Sequence, residues 1–219
     1  MPLISITGPI ATGATTLAKL MCNQTSWKPM FEGNVVEDNP FFLKYQELPS
    51  VYSFHNQTLF LTRSASLHKG LRQEMNYRRI FVQDFTPFEH NDIYTNVLFK
   101  FNKLSRDEFE LLSNLNEHLK SYFVLPDVLV YRGLDSRKLK ERVFLRGRQG
   151  EDSYKFEFLD AIRERFEEWS STWSQSRIIK IRSDVDLLTD FDYVNDIIRE
   201  VEDYLNFRYK NSRDQILFT

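Results

Sequence analysis

The stretch "ITGPIATGATTLAKL", residues 5–19, decides the fold. A β-branched run ends at Thr7, Gly8 and Gly13 bracket a turn, and Leu17 and Leu20 open an amphipathic run. Gly8-Pro-Ile-Ala-Thr-Gly13-Ala14-Thr15-Thr16 keeps the spacing of the phosphate loop G-x-x-x-x-G-K-[ST] at every defined position but the lysine, where Ala14 stands. Glycines at these points let successive N–H groups turn inward as a nest for an anion. The helix that follows aims its positive dipole end at the same place. Nucleotide phosphates are therefore expected at Gly8, Ile10, Ala11, Thr12, Gly13, Ala14, Thr15 and Thr16, with the Thr15 hydroxyl helping to hold Mg²⁺.

The departure at Ala14 has a specific consequence. The lysine of such a loop bridges the transferring phosphoryl group and neutralises charge developing towards the leaving group. Losing one preorganised donor costs on the order of 10²–10³ in rate. Backbone N–H groups and metal still hold a nucleotide, so binding is expected to survive better than turnover.

Outward from the loop, short β-branched runs alternate with long amphipathic ones. Strands are expected at 2–7, 28–32, 80–84, 127–131 and 178–182. Helices are expected near 13–23, 39–47, 51–75, 88–100, 105–122, 135–146, 154–173 and 188–209. This alternation predicts an α/β fold, a parallel sheet covered by helices on both faces. Ligands of such sheets bind outside the carboxyl ends of the strands. There the sequence stations Glu32 after the second strand and Asp84 after the third.

The 219 residues contain no Gly/Ser or Pro-rich linker and no repeat, which favours a single domain over 1–219. A net charge of −2 does not advertise a nucleic-acid binder, although Arg72, Arg78 and Arg79 form one local basic patch. One cysteine, Cys22, excludes an internal disulfide framework and fits a reducing, cytoplasmic setting. Neither a leader peptide nor a membrane span is expected.

Three segments in order resemble the deoxynucleoside kinase family, in particular its bacterial deoxyadenosine/deoxyguanosine type. They are "GPIATGATTLAKL", "EDNPFFLKYQELPSVYSFHNQTLFL" and "PDVLVYRGLDSRKLKERVFLRGRQGE". The resemblance implies a P-loop kinase fold, a five-stranded parallel sheet flanked by helices, with an arginine-rich lid at about 142–153. It implies phosphoryl transfer from ATP, with Mg²⁺, to the 5′-hydroxyl of a deoxynucleoside, and a homodimer. Arg142, Arg146 and Arg148 match the arginines that clamp donor phosphates, a task suited to guanidinium groups. Glu151 and Tyr45 match the pair on the sugar 3′-hydroxyl, and Gln57 matches the glutamine that reads the base edge.

The chain departs from the family pattern at several points. The general base falls on Glu32 if two residues are inserted before Glu37-Asp38-Asn39-Pro40, and on Asn34 if none are. Glu32 is the preferred assignment, because the second strand is expected to end there and Gly33 permits the bulge, whereas the Asn34 amide cannot take a proton. Asp84-Phe85-Thr86 stands where many members carry Asp-Arg-Ser, which leaves Asp84 to ligate Mg²⁺ through water or to position the hydroxyl, without the arginine. A further arginine of the family falls at Ser64, with Arg63 one place off. Three functions follow: a deoxynucleoside kinase in which Ala14 is a single lesion, a nucleotide-binding pseudokinase, and a kinase acting on a modified nucleoside or a nucleotide within DNA.

Overall fold

The computed structural model describes residues 2–33, 35–74 and 79–210. Five strands, β1 (Leu3–Thr7), β2 (Lys28–Met30), β3 (Phe81–Gln83), β4 (Val128–Tyr131) and β5 (Arg177–Lys180), form one sheet in the order β2-β3-β1-β4-β5. Every pairing is parallel, with Ile4 of β1 opposite Val82 on one side and Val128 on the other. β1 is buried throughout and lies at the centre, as a continuous apolar run covered on both faces requires.

The two faces are read directly from period-two alternation. Val128 and Val130 join Ile4 and Ile6 in a core closed by Leu17 and Met21 of α1 (Ala14–Gln24) and Ile197 and Val201 of α9 (Phe191–Tyr209). Leu129 and Tyr131 point the opposite way, into a core with Leu61 of α4 (Pro49–Gln73), Leu112 of α6 (Arg106–Leu119) and Phe166 and Trp169 of α8 (Phe156–Thr172). On that second face β1 presents Ser5 and Thr7. Gln83 donates to Ser5, and Thr7 donates to Glu89.

Local chemistry sets the helix ends. Ser105 and Glu108 form a capping box before α6, and Asp135 accepts the Lys138 N–H at the start of α7 (Ser136–Arg146). Gly147, with φ 56°, closes α7 in the left-handed conformation. By contrast α1 begins at Gly13, φ 92°, with no side chain capping its first N–H groups.

The expected elements are present with shifted edges. The helix expected over 39–47 starts late, as α3 (Phe42–Glu47), because the Asn39 side chain accepts the Phe41 N–H in an Asx turn before it, and a short α2 (Val35–Asp38) precedes it. The stretch 88–100 opens as a π-helical turn, His90–Thr95, before α5 (Asn96–Lys100). There the Thr95 hydroxyl and the Asn96 amide donate to the carbonyls of His90 and Asn91. Such turns recur at functional sites. Strands two and three stop short, leaving Glu32 and Asp84 in the loops beyond their ends. Cys22 is partly buried, packed at the edge of the first core. Among the described residues no helix is long and apolar enough to cross a membrane. Asn34 and Arg78 lie outside the described residues.

Phe166 is fully buried and meets Tyr94 edge to face, with ring centroids 5.9 Å apart. Phe166→Ala is expected to lower unfolding free energy by roughly 3–5 kcal/mol in urea titration, the range for removing a buried aromatic ring.

Candidate active site

At the carboxyl ends of β1, β3 and β4 lies a cavity of about 860 Å³, lined by the loop 8–16, Glu32, Tyr45, Gln57, Asp84, Glu89 and, from α7, Arg142 and Arg146. Close backbone approach shapes the loop. A Cβ on Gly8 would fall on the Arg132 carbonyl oxygen, so only glycine fits there. The Thr12 hydroxyl donates to that same carbonyl at 2.6 Å, and the Thr12 N–H reaches the Pro9 carbonyl at 3.0 Å. Ala11 and Gly13 both take positive φ, 60° and 92°, which turns the chain into the uncapped start of α1. An anion in this concavity meets the helix dipole end-on.

Three carboxyl groups converge beside the loop. Asp84 accepts the Thr15 hydroxyl at 2.7 Å through Oδ2 and the Glu32 N–H at 3.3 Å through Oδ1. The Glu32 carboxyl is pushed up to about 7, first by burial and then by neighbouring Asp84, while Arg63 and Arg148 pull it back. Its Oε1 is buried with no hydrogen-bond partner among the described residues and lies 4.0 Å from His90 Nε2. Glu89 is the third. It accepts the Thr7 hydroxyl at 2.6 Å and the Thr86 N–H at 3.4 Å, yet burial still raises it to about 8. Among the described residues no three acidic or histidine side chains cluster as a metal site; the paired Thr15 hydroxyl and Asp84 carboxylate are hard oxygen donors of the kind Mg²⁺ takes together with substrate phosphates.

The deeper end of the cavity is built from α4 and the π-turn. Gln57 is buried and its Oε1 has no partner among the described residues, an orphaned acceptor in the cavity wall. Tyr45 is buried and hydrogen-bonded to Tyr154, and burial holds its hydroxyl well above the usual range. Ser64 bonds His90 Nε2 at 2.8 Å, and burial lowers the His90 imidazole to about 3. Phe85 is buried against His68 and His90, at centroid distances of 6.3 and 6.4 Å. Arg63, one place from Ser64, donates to the Asp38 carbonyl and is near enough to Glu32 to lower its carboxyl.

The segment 146–151 is tied together by ion pairs. Glu151, 3% exposed, accepts Arg146 Nε at 3.0 Å and Nη2 at 2.6 Å, and Arg148 Nη1 at 3.3 Å. The turn Glu151–Ser153 docks on α3 through Gln46, whose amide donates to Tyr154 at 2.7 Å. Arg142 also lines the cavity, facing Gly13. The structure thus brings the expected residues 8–16, Glu32, Tyr45, Gln57, Asp84, Arg142, Arg146, Arg148 and Glu151 to one cavity. Sequence reasoning missed Glu89, His90, Gln46 and Arg132. "TPFEH" reads as an ordinary helix start, and no spacing rule singles out its glutamate.

Residues 4–206 match the profile of the deoxynucleoside kinase family. The chain belongs to that family. Phosphorylation of a deoxynucleoside is the family's chemistry, and the resemblance seen in the sequence holds over nearly the whole chain. A deoxyadenosine/deoxycytidine kinase of Bacillus subtilis is 26% identical over 211 residues, 95% of each chain. A deoxyguanosine kinase of the same organism is 28% identical over 167 residues, 76% of this chain and 77% of its own. Among solved structures, a deoxyadenosine kinase from M. mycoides with bound dATP superposes with a TM-score of 0.78 at 19% identity, covering 92% of this chain and 100% of that one. At that identity the likeness establishes the fold, a five-stranded parallel α/β sheet flanked by helices.

Burial of Glu89 has a consequence for stability. Its carboxyl titrates near 8 in the folded chain against an ordinary value of 4.5. Between those values the folded chain keeps a proton that the unfolded chain has released, so this group's contribution to stability falls as pH rises through the window. In ligand-free thermal unfolding, Glu89→Gln is expected to raise Tm relative to the parent more at pH 8 than at pH 5.

Proposed function

We propose that the chain transfers the terminal phosphoryl group of ATP to the 5′-hydroxyl of a deoxynucleoside. The observation that carries this reading is the Thr15–Asp84 hydrogen bond beneath the open start of α1, with the Glu32 carboxyl beside it titrating near neutrality. The loop Gly8–Thr16 holds the donor phosphates through backbone N–H groups. Thr15 and Asp84 hold Mg²⁺, which when bound neutralises charge on the phosphates. Glu32 takes the proton of the attacking hydroxyl, a task suited to a group poised near the working pH. Arg142, Arg146 and Arg148 stabilise charge on the transferring group. Tyr45 and Glu151 hold the sugar 3′-hydroxyl, and the unpartnered Gln57 Oε1 reads the base edge. The relatives' names make deoxyadenosine, deoxycytidine and deoxyguanosine the first acceptors to test. A homodimer and a cytoplasmic setting belong to the same reading.

One observation favours a second reading. Ala14 offers no cation in front of the loop, which suits a nucleotide-binding pseudokinase. The two readings separate in a phosphoryl-transfer assay. Ala14→Lys is expected to raise transfer by on the order of 10²-fold or more, roughly 3 kcal/mol of transition-state stabilisation. Binding of ATP by Ala14→Lys without transfer to any deoxynucleoside would establish the pseudokinase.

The base and the lid make separate predictions. In the Ala14→Lys background kcat is expected to rise with pH through about 7 as the Glu32 carboxyl loses its proton. Glu32→Gln removes that limb along with most of the activity, and Glu32→Asp keeps the limb. Arg142→Ala is expected to lower kcat more than it weakens nucleoside binding, because its charge acts on the transferring group. Equal effects on both would take Arg142 out of the transfer step.

A further inference from the structure

Position 14 puts no cation in front of the loop, yet one lies behind it. Arg132 directly follows β4, is 2% exposed and is among the largest fully buried side chains. Its Nη1 donates to the Thr12 carbonyl at 2.9 Å, its Nε to the Arg182 carbonyl at 3.3 Å, and its Nη2 to the Val185 carbonyl. Nη1 also lies 3.2 Å from where a Cβ on Gly13 would stand. None of these three acceptors is a carboxylate. Burial and the nearby Arg142 lower the guanidinium to about 10, with Asp184 and Asp186 among the charges opposing them, so it stays charged at neutral pH.

A buried cation hydrogen-bonded to neutral carbonyls is unfavourable until an opposite charge arrives. Around it converge the positive end of α1 and the Arg142 guanidinium, whose Nη1 is 3.7 Å from the same Gly13 point. The group that would relieve all three is a polyanion in the loop. The guanidinium on the Thr12 carbonyl also polarises the Thr12–Gly13 amide, strengthening its N–H as a donor to an anion on the other side.

We propose that Arg132 is a positioning residue for the donor nucleotide, supplying from behind the loop part of the positive charge that position 14 does not supply from the front. This rests on the ATP-binding reading of residues 8–16. Arg132 acts through the loop and does not touch the phosphates, so it strengthens binding without following charge to the leaving group.

The test is a double-mutant cycle on the full chain. ATP affinity is measured by calorimetry for the parent, Arg132→Met, Ala14→Lys and the double variant, with thermal unfolding as a check on folding. The expected result is a loss of about tenfold or more on Arg132→Met in the parent and of less than about threefold in the Ala14→Lys chain, where a lysine supplies the charge. Arg132→Lys, which keeps the charge but cannot span three carbonyls, is expected to retain affinity within a few-fold. Where Arg132→Met does not fold, Arg132→Gln replaces it in the cycle. Equal losses in both backgrounds, no rescue by lysine, or failure of both neutral variants to fold would make Arg132 a clamp of the fold and overturn the proposal. Absence of ATP binding in both the parent and Ala14→Lys defeats the nucleotide-binding reading itself.

Discussion

The active centre depends on the seam where the loop after β1 meets the carboxyl end of β4. The Arg132 N–H continues the sheet ladder to the Thr7 carbonyl at 3.0 Å, and the Arg132 carbonyl turns back to accept the Thr12 hydroxyl. Gly8 can have no side chain because that carbonyl occupies its space. The loop is therefore registered against the sheet at both its ends. Leu17, Ala18 and Met21 then bury one face of α1 on the first core, which fixes the direction in which the helix start points. A preorganised nest needs no reorganisation when an anion enters, and that is what makes such dipoles effective.

The electrostatics beside the seam are one-sided on purpose of geometry rather than composition. A chain with a net charge of −2 gathers Glu32, Asp84 and Glu89 at one point and raises two of them by burial. Like charges held close favour the protonated forms until a cation enters. Opposite them, Arg146 and Arg148 are engaged by Glu151. Glu151 holds the two guanidinium groups at the cavity wall and is itself nearly fully buried, so its own charge is matched before any ligand arrives. The proposed sugar-binding carboxylate and the proposed phosphate-binding arginines thus form one hydrogen-bonded unit, and a displacement of either partner moves the other.

Much of the fold was legible because its signals are local. Five apolar runs, the glycine spacing of the loop and the amphipathic stretches between them gave the α/β architecture and the sheet's direction. Boundaries failed where side chains compete with backbone ladders. The Asx turn at Asn39 delays α3, and Thr95 and Asn96 accompany the π-turn that opens the stretch before α5. At the site, the residues expected from the loop spacing and the family resemblance line one cavity: the loop, Arg142, Arg146, Arg148 and Asp84 among them. Glu89 and Arg132 were not, because what distinguishes them is burial and three-dimensional neighbours. A glutamate at a helix start and an arginine after a strand carry ordinary surface meanings in sequence. Only the sheet register, with Thr7 set beside Glu89 and Thr12 beside Arg132, gives them others.

Where a charge stands decides what it does. A cation in front of the loop can follow the phosphoryl group as it moves, gaining interaction in the transition state and raising kcat. A cation behind the loop sees donor and transition state at nearly the same distance, so it contributes uniform binding and little acceleration. On the proposed reading, Ala14 in front and Arg132 behind make a site that holds nucleotide better than it turns it over. Arg142 is the group that bridges the two cases. It belongs to α7, lines the same cavity and faces Gly13, so of the side-chain cations around the loop it can act on the moving group. On the proposed reading Arg142 supplies charge to the transferring group from α7 without making good the cation absent at position 14.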